Sequence, residues 1–388
     1  MKKVGFFLSP TKKWIGGINY YKNLFLAING IEDSRFKFIV FLPKNVDQDI
    51  VDTLFAGCNN IELIYTSMLQ EFHLYWFFWK FIRKVIRSDL AVLPLCIYYG
   101  IRIISHSDFA NIPMVKVINW IPDFQYTHFP EMFNPKQVRF INSYHSIYIN
   151  SADMVVVSSK NVADDLIALY PKMQDKTFIL PFVSQVPDFY WDLDEENWRM
   201  IANQYHLDKY FFYIPNQFYK HKNHKILIDA MQCLITRGIQ VQMVCSGDTE
   251  DPRNLDFFAE LREYINQKNC ADYFKIIGII PYDEVFSLIR FSLAVINPSR
   301  FEGWSSTVEE CKSAGKRILL SDIAVHHEQI PTAFFFGVDD PIALANYLEM
   351  IWIGRHTQDG TGIINMTEVN KFRTLNYGLE YLKLLTLV

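Results

Sequence analysis

The chain has 388 residues, half of them apolar and 21% charged, with 16 Gly and 16 Pro. At roughly 150 residues per domain this predicts two or three domains, each with enough apolar side chains to bury a core, and it excludes disordered, collagenous and disulfide-scaffold classes. A net charge of -4 lacks the basic excess of a dedicated nucleic-acid binder. The charge is uneven: residues 1–190 carry 19 basic and 16 acidic side chains against 19 and 26 in residues 191–388, so the first half suits anionic partners. The six cysteines show no C-x-x-C spacing or paired histidines nearby, so neither a zinc site nor a disulfide framework is expected. The apolar run before Pro10 is too short for a signal-peptide core, and nothing approaches about 18 uninterrupted apolar residues, so the expectation is a soluble, cytoplasmic chain.

In chain order, near-continuous apolar runs at residues 4–8, 36–42, 101–105, 115–120 and 154–157 read as parallel strands covered on both faces. Gly16-Gly17 follows the first of them and precedes a helical stretch at 18–28. Glycine there lets backbone N–H groups approach an anion at a helix N-terminus, and it equally makes a tight strand-to-helix turn. No G-x-G-x-x-G is present, which argues against a nicotinamide or flavin. Residues 71–87 contain Phe72, Leu74, Tyr75, Trp76, Phe77, Phe78, Trp79, Phe81 and Ile82, with Lys80, Arg83, Lys84 and Arg87 at i, i+3, i+4 and i+7. On a helix this gives a wide aromatic surface flanked by positive charge, suited to an anionic membrane interface, or else a core helix with a solvated basic face.

An acidic stretch from Pro187 to about Asp208 lacks a strand pattern and reads as a linker. Six further apolar runs follow, at residues 211–214, 241–245, 274–277, 293–296, 317–320 and 334–336, separated by helix-length segments. The expected fold is α/β, with two doubly wound Rossmann-like domains facing a central cleft. The domains fall at 1–190 and 209–365, with a linker at 191–208 and a last helix at 366–388.

Two loops carry chemistry. After 211–214 come Asn216, Gln217, Lys220, Lys222 and Asn223, a cluster of donors outside the carboxyl end of a strand, where lysine can meet a diphosphate. After 293–296 comes a loop holding Glu302, then a helix expected to start at Ser306 and stop at Gly315, with Ser306 and Glu309 at capping-box spacing. Glu310 lies one turn inside that helix. Two carboxylates around a helix N-terminus can accept hydrogen bonds from sugar hydroxyls while free N–H groups hold phosphate; they also suit the positive end of the helix dipole with no ligand.

Phe301-Glu302-Gly303 with Glu310 eight positions after Glu302 resembles the E-x7-E motif of the retaining glycosyltransferases of family 4, which have the GT-B fold. Gly16-Gly17, the Lys222-Asn223 loop, Asn297-Pro298-Ser299 and Gly278 extend the resemblance over most of the chain. It implies that Glu310 binds the donor ribose, Glu302 contacts donor sugar hydroxyls and Lys222 meets the diphosphate. Gly17 would approach donor phosphate or the reacting centre, Gly303, Trp304, Ser305 and Ser306 would supply backbone donors, and Ile279 and Ile280 would lie near the base. The chain departs from the pattern twice. Gln217 stands where the family has an arginine, with Lys220 as a possible replacement charge, and Pro122 stands where it has an acceptor-side histidine. That leaves Asp123, His128 and His106 as acceptor-side candidates.

The resemblance implies a metal-independent, hexosyltransferase-type retaining enzyme with no cofactor beyond its nucleotide diphosphate sugar. Its acceptor would be a glycan or lipid-linked glycan in surface polysaccharide or lipopolysaccharide assembly, reached on the inner face of the plasma membrane. The competing readings are a catalytically silent nucleotide-sugar binder or scaffold, a phosphorylase or epimerase on a related fold, and a membrane-binding module.

Overall fold

Apolar runs alternating with helical segments build two parallel sheets, in a computed structural model that describes residues 1–11, 15–356 and 364–388. The expected 209–365 domain thus runs through residues 357–363, which lie outside the described residues. One unit comprises Met1–His128, Asn134–Ser184 and Lys371–Val388, the other Phe129–Phe133 and Gln185–Asn370.

The first sheet contains β1 (Lys2–Phe7), β2 (Phe36–Pro43), β3 (Ile61–Thr66), β4 (Ile101–Ser107), β5 (Lys116–Trp120), β6 (Met154–Val157) and β7 (Thr177–Ile179). Its order is β3-β2-β1-β4-β5-β6-β7, with Val4 paired to Phe38 on one side and Ile103 on the other. The order reverses between β1 and β4, so the loops leaving those two strands diverge and open a crevice at their carboxyl ends. The helix Ile15–Asn29 begins earlier than expected and takes Gly16 and Gly17 into its first turn rather than leaving them in a preceding loop.

The second sheet contains β8 (Phe211–Ile214), β9 (Gln242–Ser246), β10 (Phe274–Gly278), β11 (Ala294–Asn297), β12 (Ile318–Ser321) and β13 (Phe334–Phe336). Its order is β10-β9-β8-β11-β12-β13. Every residue of β8, β11 and β12 is buried because the two faces serve two cores. Phe212, Ile214, Ile296 and Leu319 point into one, and Phe211, Tyr213, Val295 and Leu320 into the other. The period-two alternation is therefore present but apolar on both sides.

The stretch expected as a linker is part of this unit. Asp194 caps the helix Glu195–Tyr205 through a capping box with Asn197, and Trp198 and Ile201 are buried, Trp198 lying 5.7 Å from Phe211 in a stacked pair. An i, i+3 apolar pair anchors the helix while its other faces stay acidic and solvated, which is why composition alone reads as linker. The helix Thr367–Thr386 ends the chain, and from Lys371 onward it packs in the first unit, where Tyr381 donates to Ser105 Oγ (3.0 Å). No helix among the described residues is long and apolar enough to cross a membrane.

Candidate functional site

The reversal of strand order in the second sheet falls between β8 and β11, and the residues expected to meet a donor lie on the loops that leave those strands. The β8 loop turns through a short 3-10 segment, Lys220–Lys222, and Asn223 takes a left-handed conformation (φ 57°) before the helix His224–Thr236. The Arg300 amide donates to the His221 carbonyl (2.8 Å), tying the β8 loop to the β11 loop. Lys222 Nζ then lies 2.7 Å from Glu302 Oε1, and the two side chains are only 17% and 10% exposed. Ser299 Oγ donates to the same carboxylate oxygen (2.7 Å). Burial pushes the Glu302 carboxyl up, but the charge and hydrogen bond of Lys222 outweigh it and hold the group down at about 2. Behind it His326 is buried and kept neutral by that burial, donating from Nδ1 to the Ser321 carbonyl (2.9 Å).

Glu310 has the opposite electrostatics. It lies in the helix Ser306–Ala314, is 4% exposed, and is pushed up to about 7 by burial, against which only the Tyr282 hydroxyl, donating at 3.0 Å, acts. One motif thus holds one carboxylate firmly ionised and one close to half-protonated at neutral pH. Tyr282 carries no sequence signal beyond its place after β10.

The N-cap of this helix is Ser305, not Ser306. Its Oγ accepts from the Val308 amide (3.4 Å) and from Asn297 Nδ2 (2.8 Å). The Ser305 amide donates to Gln329 Oε1 (3.1 Å), and Gln329 Nε2 donates back to the Ser305 carbonyl (3.0 Å). The backbone N–H expected of Ser305 for a donor phosphate is therefore used inside the protein. Glu309 is buried within 3.8 Å of Lys312, and its amide donates to the Ser305 carbonyl (3.1 Å). Gly303 is buried, while Trp304 and Ser306 are half-buried at the start of the helix. Gln217 is half-buried and Lys220 exposed; Ile279 is exposed and Ile280 packs against the core shared by β8 and β11.

Gly247, after β9, belongs to no motif that marks it in the sequence. Its φ is 137°, and a Cβ there would meet the Asn216 carbonyl oxygen at 2.7 Å and Gln217 Cα at 2.8 Å. Only glycine lets the β8 loop lie this close. Gly247→Ala is expected to cost about 3 kcal/mol of stability in urea denaturation, because the clash is with backbone and the conformation is strained for any side chain.

Gly17, Asp123 and His128 belong to the first unit. Gly17 lines a cavity of about 350 Å³ at the β1/β4 reversal. Asp123 Oδ1 accepts from the Gln125 amide (2.8 Å), a turn that starts the short helix Gln125–His128. His128 Nε2 lies 2.8 Å from Asp165 Oδ2 in a partly exposed pair. His106 lines the cavity, but both of its ring nitrogens are engaged, by Tyr20 Oη (2.7 Å) and Ser105 Oγ (2.9 Å), and burial holds its pKa down at about 3.

The aromatic stretch forms the helix Leu74–Ile86, on which Trp79 alone is buried. Its basic stripe is split. Arg83 turns inward, its Nε 3.4 Å from Asp89 and a terminal nitrogen donating to the Asp108 carbonyl (2.6 Å), while Lys80, Lys84 and Arg87 stay exposed. Among the described residues no three His, Cys, Asp or Glu side chains are grouped to hold a metal ion.

Residues 194–355 match the family model of glycosyl transferases group 1. No curated protein matches the chain. Among solved structures, Anabaena HepE in complex with UDP and glucose is 15% identical, with a TM-score of 0.68 and 100% of both chains covered. A glycosyltransferase from Rickettsia africae is 16% identical, with a TM-score of 0.67 over 98% of this chain and 96% of that one. Sucrose-phosphate synthase from Thermosynechococcus elongatus is 14% identical, with a TM-score of 0.64 over 100% of both. At these identities the likeness is one of fold, and the fold is GT-B. The group 1 match falls within the second unit.

Proposed function

We propose that the protein is a retaining glycosyltransferase that moves a sugar, of hexosyl type, from a nucleotide diphosphate sugar to an acceptor hydroxyl without a metal ion. The observation that carries this reading is the Lys222–Glu302 pair at the β8/β11 reversal, with Glu310 one turn into the adjoining helix. On donor binding Lys222 exchanges Glu302 for the diphosphate, Glu302 accepts from sugar hydroxyls, and Glu310 accepts from the ribose. The acceptor oxygen bonds to the anomeric carbon as the bond to the diphosphate breaks, and the hydroxyl proton passes to the departing phosphate. Lys222 and the helix N-terminus stabilise the charge that develops there. Gln217, in place of an arginine, leaves one positive charge fewer at the diphosphate and is the reason to keep a catalytically silent nucleotide-sugar binder as the second reading. The acceptor is a glycan or lipid-linked glycan of surface polysaccharide assembly, reached from the cytoplasm, with the segment Glu71 to Arg87 against the membrane.

Thermal shift against UDP, GDP, dTDP and ADP and their sugar conjugates, with and without a divalent metal, tests this first. UDP is the leading choice because it is the nucleotide held by the Anabaena structure of the same fold. One nucleotide is expected to raise Tm without metal, since binding to the folded state stabilises it by mass action, and Glu310→Ala should blunt the rise. A folded protein that no nucleotide stabilises would remove the transferase reading.

A further inference from the structure

Gln217 puts a neutral side chain where the family that the chain resembles has an arginine, and the loop that follows β9 lies directly against that position. The Phe218 amide donates to the Asp248 carbonyl (2.8 Å), and a Cβ on Gly247 would meet Gln217 Cα at 2.8 Å. The same β9 loop carries Arg253. Its guanidinium carbon lies 5.1 Å from the centre of the Tyr219 ring and 5.3 Å from that of Phe133, both rings belonging to the second unit. Tyr219 comes just before Lys222 on the β8 loop, so the cation–aromatic contact holds Arg253 against the loop that presents the lysine.

Arg253 and Lys222 are built alike. Arg253 Nε lies 3.2 Å from Asp251 Oδ1, with side chains 16% and 1% exposed, much as Lys222 is paired with Glu302. Asn254 Nδ2 (2.9 Å) and the Arg253 amide (3.0 Å) also donate to Asp251. Burial pushes the Asp251 carboxyl up, but these bonds and the arginine charge outweigh it and hold it below the usual carboxylate range. Burial also holds the His221 ring down at about 3, and the charges of Lys222, Glu302, Arg253 and Asp251 all act on that ring, so the two ion pairs are neighbours. His221 Nδ1 is buried with no hydrogen-bond partner among the described residues. Lys220, the replacement charge expected from the sequence, is exposed. Water and salt screen an exposed ammonium group, whereas a mostly buried guanidinium keeps its field and can hold two phosphate oxygens at once.

Resting on the transferase reading above, we infer that Arg253 binds the diphosphate of the donor, supplying from the β9 loop the positive charge that Gln217 removes from the β8 loop. The guanidinium takes phosphate oxygens in competition with Asp251, as Lys222 does in competition with Glu302. The departure at position 217 is then a relocation of charge and not a loss of it.

The test takes the full chain and whichever of UDP, GDP, dTDP and ADP raises its Tm, and compares the affinity for that diphosphate with the affinity for the matching monophosphate. Arg253→Gln alone would leave Asp251 as a buried charge, so it is combined with Asp251→Asn. The double variant should bind the diphosphate about tenfold or more weakly, yet the monophosphate within about threefold of wild type. Adding Gln217→Arg should restore most of the diphosphate affinity, which a purely structural role of the Asp251–Arg253 pair does not predict. Arg253→Lys, which keeps a charge beside Asp251 but not the fork, should fall between wild type and the double variant. Lys220→Gln should leave the preference for diphosphate over monophosphate within about twofold. The inference is overturned if the double variant weakens both ligands alike, if Gln217→Arg restores nothing, or if Lys220→Gln is the change that erases the preference. A folded wild type that binds none of the nucleotides is a different failure, that of the donor site itself, and it takes this inference with it.

Discussion

Lys222→Met should destabilise the protein by about 3–5 kcal/mol at neutral pH, the cost of leaving Glu302 as a buried charge without its partner. Methionine keeps the length of the lysine stem, so the loss is electrostatic more than steric. The effect has a pH signature. In the wild type the Glu302 carboxyl is held at about 2 against an ordinary 4.5, because Lys222 outweighs burial. That stability is fully present above 4.5 and is lost as pH falls towards 2. In the variant burial is the main influence left, opposed only by Ser299, His221 and His326, and it favours the protonated acid. The stability gap between the two proteins, measured by urea denaturation, should therefore be widest at pH 7–8 and narrow on acidification. Adding Glu302→Gln to Lys222→Met should restore most of the loss, because no buried charge is then left. Donor-dependent transfer should stay abolished in the double variant, which separates the structural role of the pair from its proposed chemical one. A single variant as stable as wild type at neutral pH would mean that Glu302 is solvated well enough not to need Lys222.

Glu310→Gln is expected to separate stability from binding in the other direction. Burial raises Glu310 to about 7, so between 4.5 and 7 the folded state keeps a proton that the unfolded chain has released. Stability falls as pH rises through that window, and above it the protein carries a buried carboxylate. Glutamine has no such penalty, and the variant should be more stable than wild type at pH 8 by up to about 3 kcal/mol, with the two converging near pH 5. Nucleotide affinity should move the opposite way and drop between about tenfold and a hundredfold, the weight of hydrogen bonds to a charged acceptor. A ribose bound to ionised Glu310 also requires the wild type to release a proton near pH 7. Calorimetry in buffers of different ionisation enthalpy reads that proton directly. Equal heats in all buffers would take Glu310 out of the ribose site.

Most strands of the second unit are legible in the sequence because β8, β9, β11 and β12 are buried along their whole length and so read as apolar runs. The first unit shows where that signal fails. β3 runs Ile-Glu-Leu-Ile-Tyr-Thr at the edge of its sheet, only partly buried, and β7 has three residues; neither makes a continuous run. The helix at Glu195–Tyr205 hides behind its charge, since two apolar positions are enough to fix it. At the candidate site, residue identity is readable and proximity is not. Glu302 and Glu310 fall within one short segment, but nothing local says that Lys222, eighty residues earlier, reaches Glu302. That meeting is a product of strand order, because β8 and β11 are neighbours only in the folded sheet. The Ser305 cap escapes for the same reason: its partners Asn297 and Gln329 come from two other elements. The inward turn of Arg83 depends on Asp89 and Asp108, which no helical periodicity reveals.

The route of the backbone also bears on how the protein is made. The first unit is not continuous: residues 1–128 and 134–184 are synthesised early, but its last helix, with Tyr381, Leu382, Leu384 and Leu385 buried in it, comes after the whole of the second unit. Gly378 lies against the Ala27 carbonyl, where a Cβ would approach to 2.6 Å, so this helix fits close to the backbone of the one at Ile15–Asn29. On a ribosome, the part of the chain made first thus waits with an unfilled groove along its first strands while the later part is able to complete its own core. Assembly of the first unit therefore runs against the order of translation, because the helix that completes it is made after the second unit.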